Sequence, residues 1–305
     1  MSRLEETKKT YQNAVEKLHT DKEYFTEWLR YSGRFYKIPA AHTIALFESN
    51  PKATIFADYD TWKKYGNSVK YKERSSAALV ENGSELKHYF DINQTTAVNI
   101  PFQWSINKDI TEEFLKIEGR SNNTFYRNMA TYINSAAIKQ ISDNAESILS
   151  KFNISEKDKR DFLYSVSTMV MTVIAARCEY KSSYKYQTKN IPDLTALNML
   201  SSKEETVKLC SIIQQNAKAV LSKMQNSITQ IINIRTEELK NERNRNDKVN
   251  RGVEQQIPKQ QSGIAGAAAR ERETGNDLVR GSAGMVSDVH NGGEGHRKRG
   301  FRCFA

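Results

Sequence analysis

The sequence predicts an α+β N-terminal module, followed by a mainly α-helical region and a disordered C-terminal tail. Three observations carry that reading. Short β-prone runs separated by turn residues crowd the stretch from Pro51 to Ile92. From about Ile110 the apolar residues recur at helical spacing. Ten of the 14 glycines lie in 241–305, where the only aromatic residues are Phe301 and Phe304. A segment with so little apolar surface to bury cannot offset the entropy of ordering it. The expected divisions are 1–105, 106–245 and 246–305.

In chain order, Leu4, Tyr11, Val15, Leu18, Phe25, Trp28 and Leu29 fall on one face of a helix predicted over 3–31. A second helix is expected from Pro39 to Phe47, stopped at Asn50-Pro51 because proline disfavours helical geometry in the residue before it. Ala53 to Ala57 reads as a strand. Asp60 to Gly66 reads as a short helix with an Asp or Thr cap and a glycine stop. Ser75–Val80 and His88–Ile92 are strand candidates around Asn82-Gly83, a good hairpin signal. Further on, Ser155 opens a helix whose stripe is Phe162, Val166, Met169, Val170, Val173 and Ile174. A long helix is expected from Ser202 to about Arg243. Its apolar positions Ile213, Ala217, Val220, Met224, Ile231 and Ile234 suit either a coiled-coil seam or an ordinary packed helix.

Composition and motifs exclude more than they specify. The net charge of +10 favours polyanionic partners, nucleic acid or an anionic membrane surface. Cys178, Cys210 and Cys303 are far apart and odd in number, which fits a reducing cytoplasm. The charged start predicts no secretory signal. The longest apolar run, Val166 to Ala176, is far shorter than the roughly 20 residues that span a bilayer, so a cytoplasmic protein without membrane contact is expected. No phosphate loop, dinucleotide fingerprint or nucleophile elbow occurs, and the five histidines are scattered. No metal, cofactor or catalytic residue is expected. His42 beside Glu48 reads as structural, and Cys178 as a small buried residue.

The stretch Trp28 to Pro39, then Ala45 to Thr54, then Thr61-Trp62-Lys63-Lys64-Tyr65-Gly66, the basic turn and apolar run Tyr71 to Val80, and Phe90-Asp91-Ile92-Asn93-Gln94-Thr95 form five ordered blocks. Together they resemble the N-terminal domain of ArdC-type antirestriction proteins, as found ahead of helicase or methylase modules in large proteins of Gram-positive conjugative elements. In that subset a helical "ser-val … arg-cys" segment follows, and Ser165-Val166 to Arg177-Cys178 looks similar. The chain departs from the family in the turn at Lys70–Ser75, where both usual glycines are missing. The family's metalloprotease domain, and the helicase or methylase continuation, are absent too. A natural short form and a truncated longer protein both fit.

The resemblance implies single-stranded DNA binding, and the residues permit it independently. Between Trp28 and Arg74 stand nine basic and four acidic side chains, interleaved with Tyr31, Phe35, Tyr36, Tyr59, Trp62, Tyr65 and Tyr71. Basic residues can follow phosphates while exposed aromatics stack on unpaired bases. The candidate backbone contacts are Arg30, Arg34, Lys37, Lys63, Lys64, Lys70, Lys72 and Arg74, and the stacking candidates are Tyr36 and Tyr71. Trp28, Phe35 and Trp62 are expected in the core. The predicted function is that of a non-catalytic DNA-binding accessory protein of a plasmid or other mobile element, acting in conjugation. The alternatives are an interaction or scaffolding protein, with oligomer or partner contacts through the 202–243 helix, and a detached regulatory piece of a helicase or methylase.

Overall fold

Ser2 starts the first helix by a reciprocal cap: its hydroxyl accepts from the Glu5 N–H and the Glu5 carboxylate accepts from the Ser2 N–H. The computed structural model describes residues 1–80, 83–99, 104, 108–118, 125–179 and 192–254. Helix α1 runs Arg3–Thr20 and α2 runs Lys22–Arg34. The single helix expected over 3–31 is therefore two. Asp21 makes the break: its N–H donates to the Lys17 carbonyl at 2.8 Å, and its carboxylate accepts from the Glu23 and Tyr24 N–H groups at 2.9 and 3.0 Å. The apolar spacing runs on through the break, from Leu18 to Phe25, so periodicity could not reveal it.

Helix α3, Ala40–Ser49, follows Pro39, and the two-residue strand β1, Phe56–Ala57, comes after the Pro51 turn. Helix α4, Tyr59–Lys64, is capped by Asp58 rather than Asp60 or Thr61, with the Thr61 N–H donating at 2.9 Å. Gly66 takes a φ of 73° and ends it. Strands β2, Ser76–Leu79, and β3, Leu86–Asp91, pair antiparallel in the register Ser76↔Tyr89 to Leu79↔Leu86. β1 pairs with the other edge of β3, so the sheet order is β1-β3-β2. Gly83 in the hairpin turn has a φ of 66°.

Asp91 ties this small sheet together. Its carboxylate accepts from the Thr54 and Ile55 N–H groups at 2.8 and 3.0 Å and from the Asn93 side chain at 2.8 Å. Trp62 is fully buried in a small cluster with Ile55, Ala57 and Ile92, and its indole N–H donates to the Phe90 carbonyl.

The remainder is helical: α5 (Lys108–Ile117), α6 (Phe125–Asp143), α7 (Ala145–Leu149), α8 (Lys159–Glu179), α9 (Thr195–Asn198) and α10 (Lys203–Glu254). A 3₁₀ turn, Glu156–Asp158, leads into α8. The architecture is thus α+β at the N-terminus and mainly helical after it, as expected from the sequence. All six residues of the predicted α8 stripe are fully buried. α8 packs against both α2 and α6, and one hydrophobic core runs from Ala14 in α1 to Ile231 in α10. Residues Met1–Val249 accordingly form one compact unit that spans the expected boundary at 105.

Buried polar contacts join distant segments within it. The Thr43 hydroxyl donates to the Gln214 carbonyl oxygen at 3.0 Å, and the Gln214 amide donates to the Phe35 and Ile38 carbonyls. Of the α10 stripe, Ile213, Ala217, Val220, Met224 and Ile231 are buried in this core, whereas Ile234 is 54% exposed. The packed-helix reading therefore accounts for the stripe as far as Ile231. α10 continues past the expected end at Arg243 to Glu254, and the rest of the predicted tail, 255–305, lies outside the described residues. Among the described residues no helix is long and apolar enough to cross a membrane.

Candidate nucleic-acid interface

The ten residues proposed from the sequence fall into two groups. One lies at the end of α2: Arg30, Arg34, Tyr36 and Lys37. The other runs from the last turn of α4 through the turn before β2: Lys63, Lys64, Lys70, Tyr71, Lys72 and Arg74. No hydrogen bond, ion pair or ring contact among the described residues joins the two groups directly.

In the second group the chain leaves α4 at Gly66 and bridges back to the sheet region through the Val69↔Thr95 pair. The Lys70 N–H donates to the Gln94 carbonyl, and the Lys70 ammonium donates to the Asn93 carbonyl at 2.8 Å. These anchors hold a tight turn with Tyr71 and Lys72 at its tip. Tyr71 is 89% exposed, and the Lys72 ammonium stands 5.2 Å from the centre of its ring. Lys72 has a φ of 66°, in the left-handed region that favours glycine. The turn thus places a lysine where glycine would be free of strain, at a backbone cost of about 1–2 kcal/mol. Lys63 and Lys64 are exposed on α4, and Tyr59 and Tyr65, on the same stretch, are 55% and 40% exposed. Those two tyrosines are among the interleaved aromatics but not among the stacking candidates that the sequence offers.

Arg74 reaches back to α1. It is ion-paired to Glu6 of α1, whose carboxylate also faces Arg3 at 3.6 Å. Its charge is partly compensated, and it fastens the turn to α1.

In the first group Arg30 is exposed on the outer face of α2. Arg34 is half-buried, donating to the Ala53 carbonyl at 3.0 Å with its guanidinium 5.3 Å from the centre of the Tyr31 ring. Lys37 is exposed, and its pKa is lowered first by partial burial of the ammonium and then by the positive charges of Arg177 and Lys218. Tyr36 corrects the expectation of a stacking residue. It is 3% exposed; its hydroxyl donates to the Gln225 side chain at 2.5 Å and accepts from the Trp104 indole at 3.3 Å. No base can reach the face of a ring packed in this way. Trp28, Phe35 and Trp62 are buried, as the core assignment requires.

Arg34, Tyr36 and Lys37 border a cavity of about 110 Å³ with Phe56, Trp104, Arg177 and Gln225. Arg177, 1% exposed, donates to the Trp104 carbonyl and lies 3.9 Å from the centre of the Trp104 ring. In the sequence Arg177 stands out only within the "ser-val … arg-cys" resemblance. Its partner in that pattern, Ser165, is structural: its hydroxyl donates to the Asp193 carbonyl and accepts from the Ala196 N–H, holding α9 to α8.

The side chains weighed for catalysis are occupied structurally. His42 Nδ1 lies 2.8 Å from the Tyr89 hydroxyl, and Glu48 accepts from Lys17 and Tyr24. Cys178 is fully buried. Among the described residues no group of three or more histidine, cysteine, aspartate or glutamate side chains is placed to hold a metal ion. No family model, curated protein or solved structure matches the chain.

Proposed function

We propose that this chain is a non-catalytic nucleic-acid-binding protein that prefers single strands, an accessory factor of a conjugative or other mobile element. The observation that carries the reading is Tyr71, an aromatic ring 89% exposed at the tip of an anchored turn, with Lys70 and Lys72 on either side. A large ring held in water on a strained turn, touched among the described residues only by the neighbouring Lys72, contributes little to the fold. Stacked on an unpaired base it contributes about 1–3 kcal/mol. Tyr59 and Tyr65 offer two more partly exposed rings beside Lys63 and Lys64.

Magnitudes decide how the work divides. Three stacked bases supply about 3–9 kcal/mol gross, whereas micromolar affinity needs about 8 kcal/mol net of the cost of immobilising the strand. Phosphate contacts must supply much of the rest, so binding should be strongly salt-dependent. With Lys63, Lys64, Lys70 and Lys72 each neutralising one phosphate, log K should fall against log salt with a slope of about −3 on single strands. The preference for single strands follows from the rings, since paired bases have no free face to offer. The assignment to a mobile element rests on the resemblance of the five sequence blocks.

Anisotropy titrations of a labelled oligonucleotide, single-stranded and as a duplex, test this over a series of salt concentrations. Tighter binding of the single strand with that slope supports the reading. No binding to either at low salt overturns it.

A further inference from the structure

We infer that the cavity at the end of α2 is a binding site for a single phosphate-sized anion. The inference stands on charge, rigidity and size. Three cations, Arg34, Lys37 and Arg177, border the cavity, and no acidic residue is among its described lining residues. Neither Arg34 nor Lys37 makes an ion pair with a described carboxylate.

Both guanidiniums are already fixed. Arg34 is held by the Ala53 carbonyl and lies against the Tyr31 ring. Arg177 is held by the Trp104 carbonyl and ring. Fixed donors lose little conformational freedom when a ligand arrives, which is the condition for binding a small anion with few contacts. Concentrating this positive charge also has a cost: Lys37 is pushed toward its neutral form by burial and by Arg177 and Lys218. An anion in the cavity would relieve that repulsion.

Size selects the ligand. A volume of about 110 Å³ holds about three or four waters at roughly 30 Å³ each, or one tetrahedral oxyanion. It is well below the roughly 300–1,000 Å³ of sites that enclose a whole small molecule. A nucleoside would not enter, but a terminal phosphoryl group would. The phosphoryl group can belong to a nucleic-acid strand end or to free phosphate; the first source rests on the proposed function and the second does not.

Calorimetric titration of the full chain with inorganic phosphate tests the site. Saturable binding, weakened about tenfold by Lys37→Gln or Arg34→Gln and unchanged by Lys151→Gln on a remote exposed position, is expected. Lys37 is exposed, so its variant should keep the wild-type circular dichroism even if Arg34→Gln does not. A 5′-phosphorylated oligonucleotide that binds tighter than its 5′-hydroxyl twin, with the difference lost in Lys37→Gln, would make the strand end the source. Equal binding of the twins, with inorganic phosphate still bound, would make it the free anion. No saturable phosphate binding, or binding that Lys37→Gln leaves intact, overturns the site. Oligonucleotide binding that persisted in that case would leave the proposed function standing.

Discussion

Gly33 of α2 meets the backbone of α8 so closely that a Cβ there would lie 2.5 Å from the carbonyl oxygen of Val173. The same Cβ would stand 3.1 Å from the Ala176 Cβ and from the Arg177 nitrogen. The neighbouring atoms are mostly backbone, which cannot swing aside as a flexible side chain would. This contact locks the N-terminal helices onto the helical region and sets the position of Arg34, which follows directly, and of Lys37, three residues further on.

Gly33→Ala should therefore force α2 and α8 apart and cost about 1–3 kcal/mol, the usual penalty of overpacking. A thermal melt should show Tm lower by several degrees. An unchanged Tm would mean that the two helices separate more easily than their packing indicates.

Lys72→Gly should stabilise the fold and weaken binding at once. Glycine removes the left-handed strain at φ 66°, and its greater freedom in the unfolded chain takes back part of that gain. The net stabilisation expected is up to about 1 kcal/mol. Oligonucleotide affinity should fall, because a charge next to Tyr71 is lost. Denaturant unfolding and anisotropy on the same variant read the two effects separately.

Two tyrosines close in sequence should respond oppositely to loss of their hydroxyls. The Tyr36 hydroxyl bonds Gln225 and Trp104, so Tyr36→Phe should cost about 1 kcal/mol or more. The Tyr31 hydroxyl is buried without a hydrogen-bond partner among the described residues, and burial raises its pKa. Tyr31→Phe should be neutral or stabilising by up to about 1 kcal/mol. Urea unfolding of both variants under one buffer makes the comparison.

The cap of α4 should show itself in the pH dependence of stability. The hydrogen bond with Thr61 holds the Asp58 carboxyl below its usual value, against a smaller opposing effect of burial, and Lys87 at 3.4 Å adds to the lowering. A folded-state pKa below the unfolded one gives stability that is present above the ordinary carboxylate range, near pH 4. That stability is lost as the pH falls through the lowered folded value. Asp58→Ala should cost about 0.5–2 kcal/mol at neutral pH, and the gap from wild type should shrink as the solution is acidified below pH 4. A gap that stays constant down to pH 2 would remove the carboxylate from the account.

Much of the helical fold was legible because burial there follows local periodicity. Phe162 to Ile174 and Ile213 to Ile231 lie at helical spacing and are buried as that spacing implies. The hairpin was legible through Asn82-Gly83, since few other residues reach a φ of 66° at low cost. The break at Asp21 was not, because the apolar face continues across it, while the extended backbone of Asp21 and its cap hydrogen bonds separate the two helices. The site divides in the same way. Tyr71 could be picked out as an aromatic between lysines in a turn. Tyr36, with Lys37 beside it, has a similar local signature, yet it is buried by Trp104 and Gln225, 68 and 189 residues further along the chain. Arg74 likewise meets a partner, Glu6, that no local pattern names.

Whether the exposed ring at the tip of the turn binds unpaired bases is read from the affinity of a single-stranded oligonucleotide for Tyr71→Ala beside the wild-type chain. Tyr71 is almost wholly exposed, so the variant should fold and melt as the wild type does. Loss of one stacked base at about 1–3 kcal/mol predicts binding weaker by about fivefold to a hundredfold. Tyr71→Trp should retain it. Equal affinity of Tyr71→Ala and wild type at low salt would contradict the account.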